Sequence, residues 1–381
     1  MHSVSLSIEN ATSNPKEHFD ALCNTLPLQT HAKFTPMGRR SFFPLDKQLL
    51  RHVSSFYSVV SENAPSDYSD LSHEVESGSY KSEYNLIEKY GFPQQYLGDG
   101  TYGTTYQFAM PNSKSYYAVK HMDKTVTPSL KTDMVLWEYH ITRKLSSKFV
   151  AKSIDVLMNA QKPEMIIVQD YAKGVDLYIA LFKERPSFFD VKYSERVTKK
   201  VIEALSHCHE NGIFHNDIKP ENIMLDYETN NVKLVDFGLA ANLEARATPR
   251  RIEIVMSSGT DGLKDHKTSL KYPHCTSFHN DRTLHRMGMA KDMFALGNLA
   301  FYLLTSDWLW DYSNLNDDFY SDFVRSGHLR AMTAYLRKLK GEELQRVKFF
   351  VPILERMVDT NDGTRLTFPE LIRSTWYNSI A

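Results

Sequence analysis

The sequence predicts an α+β protein with a small β-rich lobe, a larger and mainly helical second lobe, and an N-terminal extension before both. Three observations support this. The chain has 381 residues. A single hydrophobic core usually stops growing below this length, so two lobes or domains are expected. Aromatic and β-branched residues alternate between residues 95 and 122, as in an antiparallel sheet. Helical patterns dominate from residue 194 to the C-terminus.

The composition excludes several classes of protein. Hydrophobic residues make up 42% of the chain, enough for a packed interior and too many for general disorder. The formal net charge of −1 provides no bulk field toward nucleic acid or an anionic membrane. No run of 18 apolar residues and no standard secretory signal occurs. We therefore expect no nucleic-acid partner, no membrane span and a cytoplasmic location.

The cysteines point to a reducing compartment. Cys23, Cys208 and Cys275 are an odd number, lie far apart and have no metal-ligand spacing, so they form neither a disulfide framework nor a zinc module. A secretion route that uses some other signal would not be readable from these features.

We assign residues 1–82 to an N-terminal extension. Apolar residues at helical spacing predict one amphipathic helix over 44–61, and the Ser- and Asp-rich segment 63–79 is typical of a linker. The helix would pack on the main domain or, alternatively, dock a partner. The first lobe with its hinge is expected over 83–172 and the second lobe over 173–381.

The remaining elements follow from local patterns. Strands are predicted on both sides of a turn at Pro111–Asn112, and a buried strand at 164–171. Helices are predicted over 127–147 and 194–211, the second ending at Gly212.

A glycine-rich loop opens the predicted sheet. Gly98, Gly100 and Gly103 form a G-x-G-x-x-G pattern, and such glycines let backbone N–H groups approach phosphate oxygens closely. The chain continues afterwards as a strand rather than a helix, so the loop is a hairpin turn and not a dinucleotide-binding fingerprint. This favours a flap over a nucleotide, although an ordinary glycine-rich hairpin would share the pattern.

A lysine and a glutamate could form an ion pair near that loop. Lys120 ends the apolar run Tyr117-Ala118-Val119, and Glu138 lies eighteen residues later in the predicted helix. A pair between them would hold the ammonium group against phosphate oxygens. A lysine at the end of a strand more commonly extends to solvent.

The segment 212–225 is the most informative. His215, Asp217, Lys219 and Asn222 interrupt apolar positions at spacings that fit neither helix nor strand. Asp217 can orient a hydroxyl and accept its proton, Lys219 can neutralise a transferring phosphoryl group, and Asn222 can bind a metal.

A second candidate metal ligand follows a short apolar strand. Asp236 precedes Phe237 and Gly238 directly after residues 232–235. Carboxylate and amide oxygens suit a hard divalent cation, so Asp236 and Asn222 could hold Mg²⁺ together with nucleotide phosphates.

In this order, these segments resemble the eukaryotic-type protein kinase family over about residues 84–376. The resemblance implies the bilobal kinase fold, with ATP as phosphoryl donor and Mg²⁺ or Mn²⁺ as metal. By this resemblance, Gly98, Gly100 and Gly103 form the Gly-rich loop, and Lys120 is the phosphate-binding lysine with Glu138 as its partner. Asp217 is the catalytic aspartate and Lys219 the loop lysine. Asn222 and Asp236 are the metal ligands, and Asp292 anchors the catalytic loop.

The resemblance also locates the adenine and ribose contacts. Gln169 stands at the gatekeeper position, and the backbone of Asp170 and Ala172 would bind adenine in the hinge. Ala118 and Met224 would line the adenine slot, and Asp176 stands where an acidic residue contacts the ribose. Lys219 and Thr260 resemble the Ser/Thr branch of the family.

Several positions depart from the family pattern. Asn216 replaces the arginine of the HRD triplet, so the usual receiver of an activation-loop phosphate is missing. Thr105 replaces the valine after the third glycine. No APE triplet follows Thr260, so Arg365 is expected to lack its usual partner.

The activation segment between Asp236 and Asp292 is unusually long. It carries a group of histidines and one cysteine that would suit a substrate-docking loop or, alternatively, a zinc site: His266, His274, Cys275, His279 and His285.

The leading interpretation is an active Ser/Thr protein kinase that binds ATP and a protein substrate. A small-molecule phosphotransferase of related fold and a pseudokinase that serves as a binding module are the alternatives. The mixture of intact motifs and diverged segments is similar to effector kinases that intracellular bacteria deliver into host cells, where a host signalling protein would be the substrate. Diverged eukaryotic or viral kinases would look alike.

Overall fold

The structure is a computed structural model that describes residues 56–58, 82–100, 103–110, 113–123, 128–159, 164–183, 190–242 and 281–380. These residues divide between two compact units. Unit 1 contains the described residues up to 128 together with 155–168, and unit 2 contains 129–154 and the described residues from 169 onward. The predicted lobe boundaries at 82 and 172 stay a prediction.

Unit 1 contains most of a seven-stranded sheet with the order β2-β1-β6-β7-β5-β4-β3. The strands are β1 (Phe56–Ser58), β2 (Ser82–Asn85), β3 (Phe92–Gly100), β4 (Gly103–Ala109), β5 (Tyr116–Asp123), β6 (Ser153–Asn159) and β7 (Glu164–Asp170). Apolar side chains from β4, β5, β6 and β7 are fully or almost fully buried, among them Phe108, Val119, Val156 and Ile166.

A short helix, α1 (Leu86–Tyr90), lies before this sheet in the chain. Lys89 and Tyr90 both reach Asp155 on β6: the lysine Nζ is 2.7 Å from Oδ2, and the tyrosine hydroxyl donates to the same oxygen. These bonds satisfy a carboxylate that is only 8% exposed. They therefore fix α1 to the strand it approaches.

The prediction of a helix over 44–61 was wrong where the structure describes it. Residues 56–58 form β1, which pairs antiparallel with β6 through Phe56 and Asn159 and with β2 through Tyr57 and Asn85. Pairing with strands distant in sequence overrides a local helical period, especially for residues of high β-propensity. The rest of 44–61 lies outside the described residues.

Unit 2 contains α2 (Pro128–Leu145), whose first residue is counted in unit 1, and most of the helices. The others are α3 (Leu177–Lys183), α4 (Val191–Glu210), α5 (Asp281–Thr305), α6 (Asp318–Ser326), α7 (Arg330–Leu336), α8 (Gly341–Met357), α9 (Phe368–Arg373) and α10 (Thr375–Ser379). Its short strands are β8 (Val175–Asp176), β9 (Ile213–Phe214), β10 (Ile223–Asp226), β11 (Asn231–Leu234) and β12 (Ala241–Asn242). One hydrophobic core joins α2, α4, α5 and α8. Among the described helices, none has the length and apolar character needed to cross a membrane.

Helix α4 shows how the sequence positions the following loop. Asp190 caps its N-terminus by accepting a hydrogen bond from the Tyr193 N–H at 2.7 Å. At the other end Gly212 adopts φ +68°, a left-handed conformation that glycine tolerates without steric cost. The chain then turns into β9 and leads directly to His215.

Candidate functional site

One buried carboxylate anchors the start of the loop from His215 to Asn222. Asp292 is fully buried and accepts hydrogen bonds from the backbone N–H of His215 at 2.9 Å and of Asn216 at 2.8 Å. His209 Nε2 lies 2.8 Å from the same carboxylate. Asn216 adopts φ +62°, a strained conformation for a non-glycine residue that this double anchor stabilises.

The charge on Asp292 is stabilised by its surroundings. Burial alone would raise the pKa of this carboxyl, but its hydrogen bond to His209 and its electrostatic interactions with His209 and the nearby His215 outweigh that effect and hold the pKa below its usual range. Asp292 thus remains an acceptor for the loop backbone.

Asp217, Lys219 and Asn222 come together on this loop. Lys219 Nζ is 3.0 Å from Asp217 Oδ2. The Asn222 side-chain nitrogen donates to the Asp217 carbonyl at 2.8 Å and to Oδ2 at 3.0 Å. Asn222 lies in a short 3₁₀ turn, Pro220–Asn222. The three polar groups are therefore held close together within six residues of the chain.

The Asp236–Gly238 segment is bound to the same loop. The Val235 N–H donates to the Asn222 carbonyl at 3.0 Å, and His215 Nε2 lies 3.1 Å from the Val235 carbonyl. The buried Phe237 ring packs 4.6 Å from the His215 ring. Asp236 itself adopts φ +62°. These contacts place the Asp236 backbone beside that of the loop.

The donor set fits a hard divalent cation. Both side-chain hydrogen bonds of Asn222 use its amide nitrogen, so the amide oxygen is turned away from Asp217. An amide oxygen and the carboxylate of Asp236 are the ligand types that Mg²⁺ or Mn²⁺ prefers.

Two of the residues predicted to contact adenine and ribose lie on neighbouring strands of unit 2. Asp176 on β8 is the register partner of Met224 on β10. Asp176 Oδ1 also accepts the Ile179 N–H at 2.8 Å, so this residue caps α3. Asp170 donates its N–H to the Lys152 carbonyl at 2.9 Å, and Ala172 is buried.

The predicted phosphate-binding residues of unit 1 lie on three adjacent strands. Gly100 pairs with Gly103 where β3 returns as β4. Thr105 pairs with Gly98 on one side and Lys120 on the other, and Ala118 is two residues before Lys120 on β5. A Cβ atom at Gly103 would stand 1.9 Å from the His121 carbonyl oxygen, so only glycine fits there.

Glu138 lies in unit 2 on α2 and is 2% exposed. Its Oε1 accepts a hydrogen bond from Gln169 Nε2 at 3.1 Å. The neighbouring Trp137 donates its indole N–H to the Ala240 carbonyl at 2.6 Å, two residues after Gly238. Lys120 belongs to the other unit, so the expected Lys120–Glu138 ion pair stays a prediction.

A family model described as "Protein kinase domain" matches residues 93–377 of the chain. The chain belongs to the protein kinase family. The α+β kinase fold predicted from the sequence is thereby confirmed.

Three curated plant relatives illustrate the similarity. CBL-interacting protein kinase 14 of Oryza sativa subsp. japonica is 25% identical over 305 residues, 77% of this chain and 59% of that protein. CBL-interacting serine/threonine-protein kinase 13 of Arabidopsis thaliana is 25% identical over 300 residues, which cover 77% of this chain and 52% of that protein. CBL-interacting serine/threonine-protein kinase 18 of the same plant is 26% identical over 298 residues, which cover 74% of this chain and 48% of that protein. The kinase thus spans about half to three fifths of these relatives' length.

Arg365 has partners that the sequence did not reveal. Its Nε donates to the Asp359 carbonyl and its Nη1 to the Ala290 carbonyl, both at 2.7 Å, and its guanidinium lies 5.0 Å from the Phe294 ring centre. The absence of an APE glutamate therefore does not leave Arg365 without partners, and the prediction that its usual partner is missing concerns residues outside those described. Backbone carbonyls are invisible to motif comparison.

His209 is a further site residue that sequence reasoning missed. It follows Leu205 by four positions on the buried face of α4, a spacing that would have placed it inward.

Thr260 and the histidines and cysteine from 266 to 279 lie outside the described residues. His285 lies in α5, but its side chain is likewise outside the described part.

Proposed function

We propose that this kinase is an ATP-dependent Ser/Thr protein kinase that transfers the γ-phosphoryl group of Mg-ATP to a serine or threonine hydroxyl of a protein. The observation that carries the proposal is the grouping of Asp217, Lys219 and Asn222 within hydrogen-bond distance on one anchored loop. Positioning and charge neutralisation account for most of the catalysis of phosphoryl transfer, and this loop provides both.

Asp217 and Lys219 have complementary tasks in this proposal. Asp217 orients the acceptor hydroxyl and takes its proton as the oxygen attacks the γ-phosphorus. Lys219, 3.0 Å from Asp217, neutralises charge on the transferring group. The bond from phosphorus to the β,γ-bridging oxygen breaks, and ADP leaves with that electron pair.

The remaining motif residues would bind the nucleotide. Asn222 and Asp236 would hold Mg²⁺ or Mn²⁺, and the bound ion would neutralise charge on the phosphate oxygens. Lys120, oriented by Glu138, would contact the α- and β-phosphates, while backbone N–H groups near Gly98, Gly100 and Gly103 would cover them. Asp170, Ala172, Ala118, Met224 and Asp176 are proposed for adenine and ribose.

The choice of Ser/Thr over Tyr rests on Lys219, which stands two residues after Asp217, and is supported by the names of the Arabidopsis relatives. We also propose that the kinase is active without activation-loop phosphorylation, since Asn216 carries no charge to receive a phosphate.

The experiment is incubation of the full chain with radiolabelled ATP, Mg²⁺ and an array of Ser, Thr and Tyr peptides. Label on Ser or Thr peptides is expected, and none after the substitution Asp217→Ala. Label confined to Tyr peptides would contradict the Ser/Thr assignment. Binding of Mg-ATP without any transfer to peptide would contradict kinase activity.

A further inference from the structure

A buried amide lies near the end of β7, directly after four apolar residues. Residues 165–168 on β7 are at most 1% exposed, and Gln169, the next residue, is 7% exposed. An amide removed from water destabilises the fold unless its donors and acceptors are paired. Gln169 therefore needs specific partners at this position.

Both hydrogens of the Gln169 amide nitrogen have acceptors. Nε2 donates to Glu138 Oε1 at 3.1 Å and to Ser153 Oγ at 3.2 Å. Glu138 is 2% exposed and Ser153 is fully buried. The amide thus connects a carboxylate of α2 to the first residue of β6.

A second contact holds α2 one turn further on. Thr142 follows Glu138 by four residues, so both side chains lie on the same helix face. The hydroxyl groups of Thr142 and Ser153 are 2.8 Å apart, and the Ser153 N–H donates to Thr142 Oγ1 at 3.0 Å. The Thr142 hydroxyl also contacts the Glu138 carbonyl at 2.9 Å. The face of α2 that carries Glu138 is therefore fixed at two points.

We propose that Gln169 is a positioning residue for phosphoryl transfer and acts through the Glu138 carboxylate. The inference rests on the proposed function, in which Glu138 orients Lys120. By holding Oε1, the amide limits rotation of the carboxylate and sets the direction of its other oxygen. An apolar side chain at this position would leave a buried carboxylate oxygen without that donor.

The test compares five variants of the full chain in steady-state phosphorylation of a Ser/Thr peptide. Gln169→Met keeps length and removes the donors, whereas Gln169→Glu keeps shape and places a second carboxylate beside Glu138. Gln345→Met is the matched control, since it makes the same change at an exposed glutamine of α8. Glu138→Gln is made alone and combined with Gln169→Met, and thermal unfolding verifies that each variant folds.

We expect Gln169→Met to lower kcat/KM for ATP about tenfold to a hundredfold, the range for losing a supporting hydrogen bond to a functional group, with KM for the peptide unchanged. Gln169→Glu should lower it at least as much, and Gln345→Met should stay within about threefold of wild type. In the Glu138→Gln background, Gln169→Met should change kcat/KM by less than about twofold.

Three outcomes would overturn the proposal. Wild-type kcat/KM in Gln169→Met would show that the amide does not assist the reaction. An undiminished effect in the Glu138→Gln background would show that it does not act through Glu138. A wild-type protein that transfers no phosphate at all would contradict the proposed function itself, and this inference with it.

Discussion

The Asn222 side chain donates a hydrogen bond to Asp217 Oδ2 at 3.0 Å. The residue proposed for the acceptor hydroxyl and a residue proposed for the metal are therefore in direct contact. A substitution at Asp217 that removes both carboxylate oxygens also removes a partner of Asn222. The two roles can be separated only with a variant that keeps an oxygen at this position.

We expect Asp217→Asn and Asp217→Ala both to abolish transfer to peptide, because neither side chain can accept the hydroxyl proton. Asp217→Asn should retain Mg-ATP affinity better, since its amide oxygen can still accept from Asn222. Peptide phosphorylation and calorimetric titration with Mg-ATP measure the two effects. If nucleotide affinity collapses in Asp217→Asn along with the rate, the placement of Asp217 at the acceptor is incorrect.

Asp236→Asn should remove most phosphoryl transfer, because the change weakens a proposed metal ligand. A loss of about 10²–10³-fold in kcat, about 2.7–4 kcal/mol, is the scale for one preorganised electrostatic group. Asp311→Asn, at an exposed position, is the matched control and should keep wild-type turnover. Equal turnover in both variants, measured with saturating Mg²⁺, would argue against Asp236 as a ligand.

Lys120→Ala should cause a loss of similar size, about 10²–10³-fold, because it withdraws the proposed contact to the α- and β-phosphates. Lys120 is 8% exposed, whereas Lys114 on the same unit is exposed, so Lys114→Ala is the control. Steady-state kinetics with varied ATP distinguishes the two. Unchanged kinetics in Lys120→Ala would contradict its assignment and favour a lysine that only extends to solvent.

Asp292 should make the stability of unit 2 depend on acid pH. Its folded-state pKa lies below the ordinary value of 3.8, so its stabilisation is present above that pH and is lost as the pH falls through the lower folded-state pKa. Asp292→Asn should cost about 3–5 kcal/mol at neutral pH, the scale for breaking a buried charged pair.

Chemical unfolding of both proteins over a pH series provides the measurement. The difference in unfolding free energy between wild type and Asp292→Asn should shrink as the pH falls below 3.8. A difference that stays constant far into acid would mean that Asp292 does not carry the charge that anchors the loop.

The sequence predicted the elements whose signals are local. The helix expected over 127–147 is α2 at Pro128–Leu145, and the strand expected at 164–171 is β7 at Glu164–Asp170. Both have long, uniform patterns. Residues 56–58 were misassigned because their conformation depends on β6, about 100 residues later in the chain, and no local window contains that partner.

The same division applies to the candidate site. Asp217, Lys219 and Asn222 were found because their types and spacing carry the chemistry. The contact between Gln169 and Glu138 joins residues 31 positions apart, and the partners of Arg365 are main-chain oxygens. Neither relationship has a sequence signal, because both arise only when distant elements pack together.

Asn216 leads to a prediction about regulation. In kinases with arginine at this position, a phosphorylated residue of the activation segment pairs with it and orders the substrate-binding region, which requires a cation. Here the side-chain nitrogen of Asn216 donates instead to the Leu239 carbonyl at 3.2 Å, and its backbone N–H is bound to Asp292. A neutral hydrogen bond thus already ties the loop to the start of the activation segment.

We therefore expect the protein to be active as synthesised, without an upstream kinase. Phosphatase treatment, or joint replacement of Thr248, Ser257, Ser258 and Ser269 by alanine with Thr260 retained, should leave peptide phosphorylation within a few-fold of wild type. The Asn216→Leu variant, which cannot bond Leu239, should lose activity while Mg-ATP still binds in calorimetry. A loss of about a hundredfold on dephosphorylation, restored by a kinase, would show that another cation receives the phosphate. In that case the inference from Asn216 is wrong, because charge pairing and not the Leu239 bond would order the segment.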